Sequence, residues 1–265
     1  MGFASLGSGS KGNATLVALA GEGDAQDAIF MVDCGFTLKQ TERRLQRLGL
    51  GCGDIDAIFV SHEHSDHKAG VAALAHRYSI PVYASYGTAR KLDLQCNRFD
   101  GDQELVVAGV TINPVRVPHD AQEPTQFTFT NGQETVGVLS DIGMITTHVL
   151  EQFRPCTHLL MEANHDVKML AAGSYPASLK RRVGESYGHL SNDQAFDLLS
   201  AIAHQQLSVV VGHISEQNNC QTLLGDKFAP LEKAVKSIEF ATQAEGAAWV
   251  GYQPLSRQAS FSDVV

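Results

Sequence analysis

The chain has 265 residues, 43% hydrophobic and 18% charged, with a formal net charge of −9; this is a globular composition, long enough for one large domain or two small ones. The acidic balance argues against a broad nucleic-acid-binding surface, which is usually basic, but leaves room for a local basic patch. No apolar run reaches the roughly 18 residues of a membrane span, and Met1-Gly2-Phe3-Ala4-Ser5 has no basic stretch before an apolar core, so no signal peptide is expected. The five cysteines are odd in number and lack a C-x-x-C pair, which fits buried thiols in a reducing compartment and a cytoplasmic location.

Short apolar runs at Phe3–Leu6, Thr15–Leu19 and Ile29–Val32, separated by Gly-rich turns, predict strands. Thr37-Leu38-Lys39-Gln40 has the form of a capping box. It opens a helix to about Leu48, with Leu38, Leu45 and Leu48 inward and Gly49 as the stop. Ile58–Val60 is a strand. Val71, Leu74, Ala75 and Tyr78 recur at helical spacing, and Pro81–Ala84 is again a strand. Strands follow at Leu105–Val107, Thr111–Val117, Gln126–Thr130 and Thr135–Leu139, the last two joined through Asn131-Gly132. Leu159–Met161 and Val209–Val211 are buried strands. Between them Ser191 to Gln194 caps a helix with Ala195, Leu198, Leu199 and Ile202 on one face. A helix around Cys220–Val235 and a strand at Ala247–Gly251 close the chain. The periodicity gives α/β or α+β, with no sequence repeat and no long linker.

Directly after the strand Ile58–Val60 stands His-Glu-His-Ser-Asp-His, residues 62–67. His62 and His64 are two apart and can face one ion, while Asp66 and His67 follow the turn and can face a second. Imidazole with carboxylate suits Zn, Mn or Fe. Two such ions about 3.5–4 Å apart would clamp the attacking and leaving oxygens of a hydrolysis. Three more candidates end apolar strands: His119, Asp141 and His213. Residues at strand ends sit on loops held by a rigid sheet. A single strand-terminal His is more often structural, but three such positions beside the His-rich turn favour ligation.

This order of motifs resembles the metallo-β-lactamase superfamily across essentially the whole chain. Gly7-Ser8-Gly9-Ser10-Lys11-Gly12-Asn13, Glu162-Ala163-Asn164-His165-Asp166 and Gly188-His189-Leu190-Ser191-Asn192 are similar to the YycJ/WalJ group, related to tRNase Z and ribonuclease J. The resemblance implies an αββα sandwich in one domain spanning 1–265, two mixed sheets face to face with helices outside. It implies two divalent metal ions. His62, His64 and His119 would hold one ion, Asp66, His67 and His213 the other, and Asp141 would bridge them. Asp33, after the strand at Val32, would brace the metal loop from behind. Only 71 residues separate Asp141 from His213, too few for the large inserted domain of ribonuclease J, and no RNA-gripping arm is recognisable.

Residues 163–190 are expected to form a small cap. They hold Lys168, Lys180, Arg181 and Arg182 against Asp166 and Glu185, a local balance of +2 (four minus two) on an acidic body. Lys180, Arg181 and Arg182 suit capture of a phosphate, the alternative being a solvated helix face. The turn Gly7–Asn13 lacks Walker spacing, but its backbone N–H groups with Ser8, Ser10 and Asn13 could take an anion; a plain hairpin turn is equally compatible. His189 could donate a proton to a leaving alkoxide or bind phosphate. Glu162 and His165 could orient ligands, with a structural role favoured over a catalytic one. Asp66 would help orient the attacking water.

The expected function is a dinuclear metal-dependent hydrolase of phosphodiesters, a DNA-exonuclease-like nuclease, with nucleic acid or a small phosphodiester as substrate. A thioesterase or lactonase of the same superfamily is the rival. A non-enzymatic metal-binding sensor is the third reading, and it would require missing ligands, whereas all seven are present. No membrane partner is expected, and the oligomeric state is open.

Overall fold

The computed structural model describes residues 1–21 and 26–255. Its first sheet begins with β1 (Gly2–Gly7), β2 (Ala14–Leu19), β3 (Ala28–Val32), β4 (Ala57–Val60), β5 (Val82–Ser85) and β6 (Asn97–Phe99) in spatial order. The second contains β7 (Leu105–Val107), β8 (Val110–Arg116), β9 (Thr125–Thr130), β10 (Thr135–Leu139), β11 (His158–Glu162), β12 (Ser208–Gly212) and β13 (Ser237–Phe240). The last strand, β14 (Ala247–Gly251), returns to the first sheet beside β1. In each sheet one half is antiparallel. The strands β3 to β6, and β10 to β13, run parallel.

The two sheets pack face to face through an aromatic layer. Phe59 lies 5.8 Å from Phe30 and 5.6 Å from both Phe127 and Phe129, centroid to centroid, and all four rings are fully buried. Edge-on and offset ring pairs of this kind add to the area they bury. Helices cover the outer faces, which explains why the central strands read as continuous apolar runs rather than alternating ones. On the first sheet these are α1 (Leu38–Arg47), α2 (Ser65–Lys68), α3 (Val71–Tyr78) and α4 (Tyr86–Ala89). The other helices are α5 (Thr147–Phe153), α6 (Val167–Ala172), α7 (Ala177–Gly184), α8 (Asn192–Ile202) and α9 (Gln221–Phe228). The expected sandwich of two mixed sheets with outer helices is thus the observed fold.

The capping boxes expected at Thr37 and Ser191 both form, and Gly49 closes α1 at φ +79. After the His-rich turn the chain makes two helices, α2 and α3. They break at Gly70, where a Cβ would stand 1.9 Å from the Phe36 carbonyl oxygen. The helix expected over Cys220–Val235 is shorter. It ends at Phe228 and continues as a 3-10 turn, Ala229–Leu231, because Pro230 has no N–H to give. Five labelled elements had no expectation: β6, β13, α4, α5 and α6. No helix among the described residues is long and apolar enough to cross a membrane.

Candidate metal centre and the cavity above it

The parallel halves of both sheets point their C-terminal ends at one edge, where their loops meet. Asp33 follows β3, His62 follows β4, Asp141 follows β10, Glu162 ends β11 and His213 follows β12. Three of these leave their strands with left-handed backbone: Asp33 at φ 62, Asp141 at φ 51 and His213 at φ 48. Such φ values are uncommon for residues with a Cβ, and they persist where surrounding bonds over-determine the conformation.

One carboxylate sets the tautomers of two histidines. Asp33 Oδ1 accepts from the Ser61 amide at 2.8 Å, and its Oδ2 accepts from Ser61 Oγ and from His67 Nδ1, both at 2.7 Å. The single Ser61 hydroxyl proton is therefore committed to Asp33, and Ser61 Oγ accepts from His62 Nδ1 at 2.9 Å. Both imidazoles are left with Nε2 facing inward, as a lone pair on His62 and directed at Asp141 on His67. A third is fixed from the opposite side, since His119 Nδ1 donates to the Gly188 carbonyl at 3.0 Å. The His62 and His119 Nε2 atoms then converge on His64 Nδ1, at 3.0 and 3.4 Å.

Asp141 lies at the centre. Its Oδ2 is 3.1 Å from His67 Nε2 and 3.0 Å from His213 Nδ1, and its Oδ1 is 3.6 Å from His189 Nδ1. Burial alone would raise the pKa of this carboxyl, but His213 and His67 outweigh it and hold the group well below the usual range. On His67 burial opposes charge, and Asp141 and Asp33 overcome it, raising its pKa well above the ordinary value. His62 is pushed the other way by burial and by the charge on His67. Glu162 anchors the loop that bends at Asp141, accepting from the Asp141 and Ile142 amides at 3.1 and 3.0 Å and from the Leu190 amide at 2.9 Å. Its Oε2 also takes His189 Nδ1 at 3.1 Å.

These donors fit a cation. His62, His64 and His119 form one compact set of donor atoms, His62, His67 and Asp141 a second, and Asp141, Glu162 and His213 a third, each within 4.8 Å. The His62 and His119 Nε2 lone pairs converge on His64 Nδ1, which has at most one proton to give, and a divalent ion would satisfy both. Nitrogen with carboxylate oxygen is a donor set for first-row divalent metals. Asp66 lies at the rim, its Oδ2 3.6 Å from His67 Nε2 and 3.4 Å from Asn13 Nδ2.

The Gly7–Asn13 turn serves mainly to hold this edge together. Ser8 Oγ accepts from the His213 amide at 2.8 Å, and the Asn13 backbone bonds Asp66 and Gly35. Only Ser10 of the three candidates reaches the cavity wall. His165 is buried beside Ser191 at the start of α8 and does not line the cavity, and its Nδ1 has no hydrogen-bond partner among the described residues. A buried asparagine set gave no expectation. Asn164 Nδ2 donates to the His213 carbonyl at 3.0 Å, and Asn219 Nδ2 bonds the Ala163 and Asn164 carbonyls and Asn192 Oδ1. Its signal lay in the quoted motifs themselves, which contain Asn164 and Asn192.

Residues 163–190 supply α6 and α7 and roof a cavity of about 410 Å³ whose lining includes His64, Asp66, Asp141, His189 and His213. Of the three basic candidates on α7, Arg182 lines this cavity and bonds Asp120 through Nε. Lys180 turns away to the Ala171 carbonyl, and Arg181 is exposed and does not line the cavity.

An αββα sandwich with a histidine–aspartate cluster at its shared strand ends defines a known class, and the chain belongs to the beta-lactamase superfamily: that domain's family model matches residues 29–214. It is a hydrolase of that family. The exodeoxyribonuclease YycJ of Bacillus anthracis is 30% identical over 230 residues, 83% of this chain and 85% of that protein. The exodeoxyribonuclease WalJ of Streptococcus pneumoniae is 29% identical over 232 residues, 83% of this chain and 84% of that protein. Among solved structures, the metallo-beta-lactamase fold protein YhfI from Bacillus subtilis shares the fold at TM-score 0.69 and 17% identity, covering 94% of this chain and 99% of that one.

Proposed function

We propose that the chain is a dinuclear metal-dependent phosphodiesterase that degrades DNA from an end. The observation that carries this reading is Asp141, a buried carboxylate set between two groups of imidazoles at the floor of a cavity. The relatives named as exodeoxyribonucleases support the substrate. In this reading His62, His64 and His119 hold one ion, Asp66, His67 and His213 the other, and Asp141 serves both; Zn, Mn and Fe all suit the donors. Two bound divalent ions supply a Lewis acid for phosphate oxygens and lower the pKa of water towards neutrality.

The chain's own residues do the rest. Asp33 and Ser61 keep the His67 and His62 lone pairs directed inward. Asp66, at the rim, orients the attacking water. Arg182 offers a planar set of donors to phosphate oxygens. His189 gives Nδ1–H to Glu162, which leaves Nε2 as its working atom. Burial disfavours charge on this ring, but Glu162, then Asp141 and Asp66, raise its pKa to about 9. Cations beside Asp141 would pull it back towards neutrality, where an imidazolium is a suitable donor to a leaving oxygen. The test is a panel on metal-reconstituted protein: single- and double-stranded DNA, an aryl phosphodiester, a thioester and a lactone. The expected ranking places the phosphodiesters first, with all turnover abolished by chelation. Faster hydrolysis of the thioester or lactone would overturn the reading.

A further inference from the structure

The helix α7 buries none of its residues in the core. Leu179 and Val183 nevertheless recur at a spacing of four, with Tyr175 one step earlier, and all three line the cavity over the histidine–aspartate floor. An amphipathic helix normally turns such a stripe onto the protein's own core. Here it faces the cavity. Tyr175 is half-buried, and its hydroxyl has no hydrogen-bond partner among the described residues, so the ring is not committed elsewhere.

We propose that this stripe is the subsite for the base of a strand-terminal nucleotide, with Tyr175 as its stacking platform. The inference rests on the phosphodiesterase reading above and specifies how that substrate is held. Two features select a base over an acyl chain, and a third limits how much nucleic acid enters. The first is the aromatic ring itself, since every base has a π-face to stack on it. The second is Arg182 on the same helix. Its contact with Asp120 uses Nε, leaving the terminal nitrogens of the guanidinium as donors for an anion that an acyl group lacks. The third is size. At about 410 Å³ the cavity is on the scale of a single small-molecule ligand, matching one nucleotide and not a duplex. The substrate would then enter end first, phosphate on the polar floor and base against α7.

The experiment compares two DNA substrates, one with a normal terminal nucleotide and one with an abasic terminal residue, at whichever end the native protein degrades. The native protein should favour the normal end in kcat/KM by roughly 5- to 150-fold, the range for loss of one base–aromatic stack. Tyr175→Ala should erase that preference, and Tyr175→Phe should keep it. A terminal 2-aminopurine joined by a cleavage-resistant phosphorothioate gives a readout without turnover. Its fluorescence should be quenched on binding the native protein and the Phe variant, and not the Ala variant. A preference that survives in Tyr175→Ala, or that is absent from the native protein, would overturn the subsite while leaving the phosphodiesterase reading intact. Failure of the native protein to hydrolyse either DNA or an aryl phosphodiester would overturn both.

Discussion

Asp33 is 28 residues from Ser61 and 34 from His67 in sequence, yet one of its oxygens holds both. Through Ser61 it also fixes His62. Asp33→Asn substitutes an amide for an oxygen that accepts two charge-assisted bonds, so the lone-pair directions of two histidines are lost together. Outer partners of this kind are worth about 10–100-fold in metal affinity. The variant should lose metal to a competing chelator at correspondingly lower concentration, and Ser61→Ala, which frees His62 alone, should fall between it and the native protein. Equal retention by Asp33→Asn would show that packing orients these rings. The Asp33 position was legible in the sequence, from a strand end and a motif. Ser61 was not, because a serine beside a His-rich turn has no signature until β3 and β4 pair and bring it onto Asp33.

At the level of elements, α7 divides its basic residues by helical angle. Arg182 and Arg181 are neighbours in sequence, but only Arg182 meets the cavity. Neutralising it should weaken DNA binding for all sequences and lower the salt slope of log affinity by about 0.7–0.9, the value of one phosphate contact. Arg181→Ala should change neither. Equal effects from the two variants would mean that the strand runs over the outside of the helix. Sequence composition marked this segment as basic, but the facing of each side chain depends on where α7 docks. Docking in turn is fixed by Gly188, whose Cα lies so close to the Arg182 and Val183 carbonyls that a Cβ would stand 2.2 Å from each. Elements with strong local signals, the two capping boxes and the apolar strands, were readable. Those without were missed: β6 is three residues long with Asn97 and Arg98 exposed, and β13 is only partly buried. Such strands exist because a neighbouring strand offers them hydrogen bonds.

Three of the molecule's five thiols, Cys34, Cys52 and Cys156, are buried. Burial pushes the Cys34 thiol from an ordinary 9.0 up to about 11 and raises Cys156 further still. In the unfolded chain both ionise near pH 9, so above that pH the unfolded state binds fewer protons than the folded one. The stability these thiols contribute is intact below about pH 9 and is lost as pH rises through the folded values, by about 1.4 kcal/mol per pH unit for each group. Denaturation midpoints measured in urea should therefore drop between about pH 9 and 11, and less steeply for Cys156→Ala. An unchanged slope in that variant would place the alkaline loss elsewhere. The sandwich was readable from strand and helix periodicity only as far as α/β or α+β, and the rest came from the resemblance of its motifs. The order of strands in the two sheets follows from long-range pairing that no local run encodes.

The left-handed turns at Asp33, Asp141 and His213 set selection for chemistry against selection for durability. Each holds a side chain in place with a backbone that glycine would adopt more cheaply, by about 1–3 kcal/mol at such positions. Asp, Asp and His at these positions give up backbone ease in exchange for the side-chain contacts that join the two sheets at this edge.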